Sequence, residues 1–86
     1  MIGEREQIIF SDLKKIMATL LKTDLNKIDQ MASLDSKLRE DLGIDSVESL
    51  DFLTEIENVY SIHVLDQEAM KLERVSDVIK LILSKK

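Results

Sequence analysis

A chain of 86 residues that contains no proline and only two glycines has almost nothing in it to interrupt a helix. Loop punctuation is equally scarce, so the default expectation is an all-α fold. At this length there is room for one domain with one modest core, here expected to span residues 1–86. The absence of cysteine removes disulfide staples and thiolate metal sites, so packed aliphatic side chains must supply the stability.

Apolar spacing divides the chain into elements. Ile9, Leu13, Ile16, Met17 and Leu20 recur at helical steps and predict a first helix from about Glu4 to Leu21. From Lys22 to Asp45 the apolar residues Leu25, Ile28, Met31, Leu34, Leu38 and Leu42 keep no sustained period, which predicts an ordered but irregular connection. A link this long needs pinning to the core, and Leu38 and Leu42 are the best anchors. Asp45 then precedes a periodic run, with Glu48 three positions later as in a capping box, and Gly43 upstream suits a tight turn. The run places Phe52, Leu53, Ile56, Val59 and Tyr60 on one stripe with Leu50 beside it, while Glu48, Asp51, Glu55 and Glu57 lie largely outside. A short helix is expected from Asp66 as N-cap through Met70, and a last one after Ser76 as N-cap, carrying Val75, Val78, Ile79 and Ile82 and ending on Lys85 and Lys86. Three longer helices and one short one, with a long first loop, make a small four-helix bundle held by its apolar stripes.

Charge is distributed unevenly. Between Glu40 and Met70 there are nine acidic residues and no Lys or Arg, whereas both flanks carry a positive excess, for a net charge of -5. Such a field repels phosphate backbones and argues against nucleic acid as a partner. No apolar run approaches the roughly 20 residues of a membrane span, and the N-terminal stretch lacks the apolar core of a secretory signal. A soluble, cytoplasmic monomer is the expectation.

At the head of the second helix stands Glu40-Asp41-Leu42-Gly43-Ile44-Asp45-Ser46-Val47-Glu48. With Asp45 as N-cap, Ser46 takes the first helical position and turns its hydroxyl to solvent. A phosphodiester there would meet unpaired N–H groups and the positive end of the helix dipole, a favourable interaction of about 0.3–1 kcal/mol. Asp-Ser pairs also occur as ordinary helix caps, and the surrounding Gly-x-Asp-Ser frame on an acidic helix is what sets this one apart.

In this frame, in the order of its helices and in its size, the chain resembles the acyl carrier protein family over nearly its whole length. The resemblance implies a non-enzymatic carrier whose Ser46 bears 4'-phosphopantetheine, attached from coenzyme A by a Mg-dependent phosphopantetheinyl transferase that Asp45 helps to position. It implies acyl cargo held as a thioester and delivered to fatty-acid or related lipid or polyketide synthesis enzymes. Their basic patches would meet Glu48, Asp51, Glu55 and Glu57, with Val47 as an apolar contact. Leu38, Leu50, Phe52, Leu53, Ile56, Ile62 and Leu72 are the candidates for lining an acyl pocket, although each also reads as ordinary core. The chain departs from many bacterial fatty-acid carriers in having Val47 after the serine, Thr54 at a position commonly Met, and Val64-Leu65-Asp66-Gln67-Glu68-Ala69 before the short helix.

Other readings weigh less. Ser46 and the single His63 have no orienting third group and no motif that brings them together, which argues against an enzyme. The acidic residues miss the ligand spacing of an EF-hand. A peptidyl or D-alanyl carrier, or an unmodified helical adaptor whose acidic helix docks a basic partner, remains as an alternative.

Overall fold

The structure, a computed structural model that describes residues 3–85, contains five helices: α1 (Glu4–Leu20), α2 (Leu25–Met31), α3 (Ser46–Tyr60), α4 (Asp66–Ala69) and α5 (Val75–Lys85). The all-helical bundle expected from the sequence is present. Lys86 lies outside the described residues.

The long helix α1 is the post around which the bundle is built, packing on α2, α3 and α5. Its buried stripe is Ile9, Leu13 and Met17, with Ile16 and Leu20 half-buried at its margin. Phe52 and Ile56 from α3 and Val75, Val78, Ile79 and Ile82 from α5 join it in the core. Val59 was expected on the α3 stripe, yet it is 52% exposed, and Leu50 is 67% exposed. Helical period fixes the direction of a side chain but not whether a neighbour covers that turn, and Val59 stands in the last turn of α3. Tyr60 beside it is anchored instead through its hydroxyl, which donates to Asp12 Oδ2 at 2.9 Å.

The connection between α1 and α3 differs from the irregular loop that its sequence suggests, because α2 lies within it. Asp24 caps α2 by accepting from the Lys27 N–H at 3.0 Å. With seven residues and only Ile28 fully buried, α2 is too short to show an apolar repeat. Leu38 and Leu42 are buried as anchors, joined by Ile44.

The remainder of the connection is stitched to the entry of α5. Leu38 N–H donates to the Glu73 carbonyl at 2.9 Å, Val75 N–H to Ser36 at 3.1 Å and Ser76 N–H to Leu34 at 2.9 Å. Arg74 reinforces the seam from its side chain, Nη1 donating to the Asp35 carbonyl at 2.7 Å.

Two predicted caps move toward the N-terminus, that of α4 by one position and that of α5 by two. The residue before α4 is Leu65, not Asp66, and its N–H is taken up by the Glu68 carboxylate at 3.0 Å. Helix α5 starts at Val75, so Ser76 is already inside it. Asp77 reaches back to accept from the N–H groups of Glu73 (3.1 Å) and Arg74 (2.9 Å). In both cases an acidic residue inside the first turn satisfies the open backbone donors, a role that a cap-residue search assigns to the residue in front.

Candidate functional site

The site is assembled by the turn that delivers the chain into α3. Asp41 and Leu42 donate their N–H groups to the Lys37 carbonyl, Gly43 donates to Arg39 at 3.1 Å and Ile44 to Leu38 at 3.0 Å. Leu42 and Ile44 are buried on either side of Gly43, which adopts φ +72°. A Cβ at Gly43 would meet nothing within 4 Å, so glycine is required there by backbone conformation and not by space.

Asp45 and Glu48 then close a reciprocal capping box. Asp45 Oδ1 accepts from Glu48 N–H at 2.8 Å, and Glu48 Oε1 accepts from Asp45 N–H at 3.2 Å. The box leaves the N–H groups of Ser46 and Val47 without an acceptor among the described residues. Ser46 is exposed at the first position of α3, and Val47 beside it is 69% exposed.

One partner of Ser46 was not foreseen. Arg39, the last basic residue before the acidic stretch, donates from Nη2 to Ser46 Oγ at 3.2 Å. The only cue in the sequence was its place at that boundary, because the contact spans seven positions and depends on the fold of the turn.

The acidic residues separate into two groups. Asp51 and Glu55 are exposed and form no ion pair among the described residues. Glu48 is half-buried and committed to the cap. Glu57 also turns inward: its Oε2 accepts from Val64 N–H at 2.9 Å and lies 3.3 Å from His63 Nδ1. His63 follows the C-terminal end of α3 whereas Ser46 opens it, so a helix of 15 residues, about 22 Å long, separates them.

A cleft of about 360 Å³ lies next to the site, bounded by residues 37–40, Ile44, Ser49 and residues 69–73 apart from Lys71. Its volume falls within the range of about 300–1,000 Å³ usual for small-molecule sites. Of the seven apolar candidates for acyl contact, Leu38 and Leu72 line it. Phe52 and Ile56 are spent in the core, Leu50 projects to solvent, and Leu53 and Ile62 are half-buried away from the cleft. Ile44 and Met70 take the missing places. Met70, 86% exposed, is an apolar flap at the rim that no periodicity could have marked.

Open N–H donors, a guanidinium and a solvent-facing hydroxyl together fit a covalently attached phosphate.

Known proteins agree. A family model described as the phosphopantetheine attachment site matches residues 11–82. The acyl carrier protein of Rickettsia bellii (strain RML369-C) is 35% identical over 69 residues, covering 80% of this chain and 79% of that protein. The acyl carrier protein of Onion yellows phytoplasma (strain OY-M) is 31% identical over 72 residues, covering 84% and 90%. In fold, the chain is similar to the crystal structure of an acyl carrier protein from Thermotoga maritima, with a TM-score of 0.82 at 20% identity over 99% of this chain and 94% of that one. The chain therefore belongs to the acyl carrier protein family, the carriers that bear 4'-phosphopantetheine.

Proposed function

We propose that this protein carries acyl intermediates as thioesters on a 4'-phosphopantetheine arm attached to Ser46, and presents them to enzymes of fatty-acid or related lipid or polyketide synthesis. The observation that supports this most directly is the exposed Ser46 Oγ at the tip of α3, next to two N–H groups that no described residue occupies.

Attachment follows from that position. Ser46 Oγ attacks the pyrophosphate phosphorus of coenzyme A that bears the pantetheine; the new Oγ–P bond replaces the P–O bond to 3',5'-ADP, which leaves. The hydroxyl proton passes to a base of the transferase, since none of the described contacts of Ser46 is a base. The arm supplies a thiol for the thioester. The chain's own residues would hold its root: Asp45 and Glu48 fix the helix start, and the open N–H groups of Ser46 and Val47 would donate to the added phosphate.

Delivery to partners draws on Val47, Asp51 and Glu55, which combine an apolar contact with unpaired negative charge on one exposed helix. Charge complementarity of this kind raises association rate and fixes orientation more than it raises affinity, which suits a carrier that must let go. Glu48 and Glu57 contribute field rather than direct contact, because their carboxylates are already engaged. The cleft beneath the site offers Leu38, Ile44, Met70 and Leu72 to a short acyl chain. Burial of each methylene there is worth about 0.8 kcal/mol. A monomer working in the cytoplasm completes the reading; among the described residues no helix is long and apolar enough to cross a membrane.

Mass spectrometry after incubation with coenzyme A, Mg²⁺ and a phosphopantetheinyl transferase tests the assignment. One phosphopantetheinyl group is expected on the wild-type chain and none on Ser46→Ala. An unmodified wild-type chain, or equal modification of the alanine variant, would overturn it.

A further inference from the structure

Arg39 holds an unusual position for a cation. It is exposed, with Glu40, Asp41 and Asp45 close in sequence, yet it forms no ion pair with any described carboxylate. Its recorded side-chain contact is Nη2 to Ser46 Oγ at 3.2 Å. The placement is built in by the backbone, since the Arg39 carbonyl accepts from Gly43 N–H and so belongs to the same turn that sets the start of α3. Arg39 also lines the cleft, together with Leu38, Ser49 and Leu72.

A guanidinium has five donors in a planar fork whose geometry matches phosphate oxygens, and a charge-assisted contact of this type is roughly twice as strong as one between neutral groups. A neutral serine hydroxyl engages one corner of that fork. We infer that Arg39 is a positioning residue for the prosthetic group: once Ser46 is esterified, its guanidinium engages the non-bridging oxygens of the phosphodiester and directs the root of the arm toward the cleft. The phosphate is then held from two sides, by the N–H groups of Ser46 and Val47 and by Arg39. The inference rests on Ser46 as the attachment point.

The test uses the full chain converted to the holo form, with conversion verified by mass, so that a failure of the Ser46 assignment shows itself first as a missing mass gain. In the wild-type protein the Arg39 side-chain N–H resonances should shift between the apo and holo forms. The phosphorus resonance of the holo protein should relax as a group that tumbles with the domain. In holo Arg39→Gln, phosphorus relaxation should slow severalfold toward that of a freely swivelling arm, and Arg39→Lys should not restore the wild-type value because it lacks the fork. Raising the salt concentration should move wild type toward the glutamine variant. An unchanged Arg39 side-chain spectrum on conversion, or identical phosphorus relaxation in wild type and Arg39→Gln with matching amide spectra outside residues 37–49, would overturn the inference.

Discussion

Single residues set the geometry at the start of α3, and local chemistry made most of them readable. Asp45 and Glu48 bond each other's backbone across three positions, so their pairing follows from residue types and spacing alone. Gly43 was legible for the same reason, and its φ of +72° gives it a definite energetic role. Because no atom crowds its Cβ position, Gly43→Ala should cost only the torsional penalty, roughly 1–2 kcal/mol. Urea denaturation of the two proteins checks this, with a lower midpoint and an unchanged slope expected. Arg39 could not be read in this way. Its contact with Ser46 crosses a turn whose shape depends on Leu42 and Ile44 being buried, and burial is not visible in a short window of sequence.

Among the elements, α1, α3 and α5 were legible because each is long enough to show its apolar stripe several times. Helix α2 was hidden by its single buried residue, Ile28, and the starts of α4 and α5 were displaced by acidic residues that cap from inside the first turn. One of those residues ties two elements together. Glu68 Oε1 accepts from Lys85 Nζ at 2.8 Å and from Leu65 N–H at 3.0 Å, linking α4 to the last turn of α5. The bond from Lys85 is the main reason that the Glu68 carboxyl is held below its ordinary value, with the Leu65 N–H contributing after it. A carboxylate lowered in the folded state stabilises above its unfolded value, about pH 4.3, and that contribution disappears as the pH falls through the folded value. Thermal unfolding of Glu68→Gln should therefore differ from wild type near neutrality and converge with it on acidification. A difference that stays constant with pH would show that the charge of Glu68 is not involved.

Over the whole molecule, the acidic stretch offers fewer unengaged carboxylates on α3 than its sequence suggests. Asp51 and Glu55 have no ion-pair partner among the described residues, whereas Glu48 and Glu57 are used by the fold. Reversing the two free charges in Asp51→Lys/Glu55→Lys should slow acyl delivery at low salt, and the difference from wild type should shrink as the ionic strength rises. Transfer kinetics with a purified acyltransferase at several salt concentrations provide the measurement, with circular dichroism to confirm the fold. The cleft was the least legible part at this scale. Its walls come from residues 37–44, α3 and residues 69–73, which only the completed fold brings together.

The seam between residues 34–38 and 73–76 has a consequence for that cleft. Three main-chain bonds bind one wall to the start of α5, as pages are bound at a spine, while Ala69, Met70 and Leu72 on the opposite wall donate their N–H groups only to carbonyls three or four positions back. If the cleft takes the cargo proposed above, its widening falls to the 69–72 wall, which moves against a fixed back. Deuterium uptake should show this division directly, slower at the amides of Leu38, Val75 and Ser76, which bond across the seam, than at those of Met70 and Lys71, which bond within one local turn.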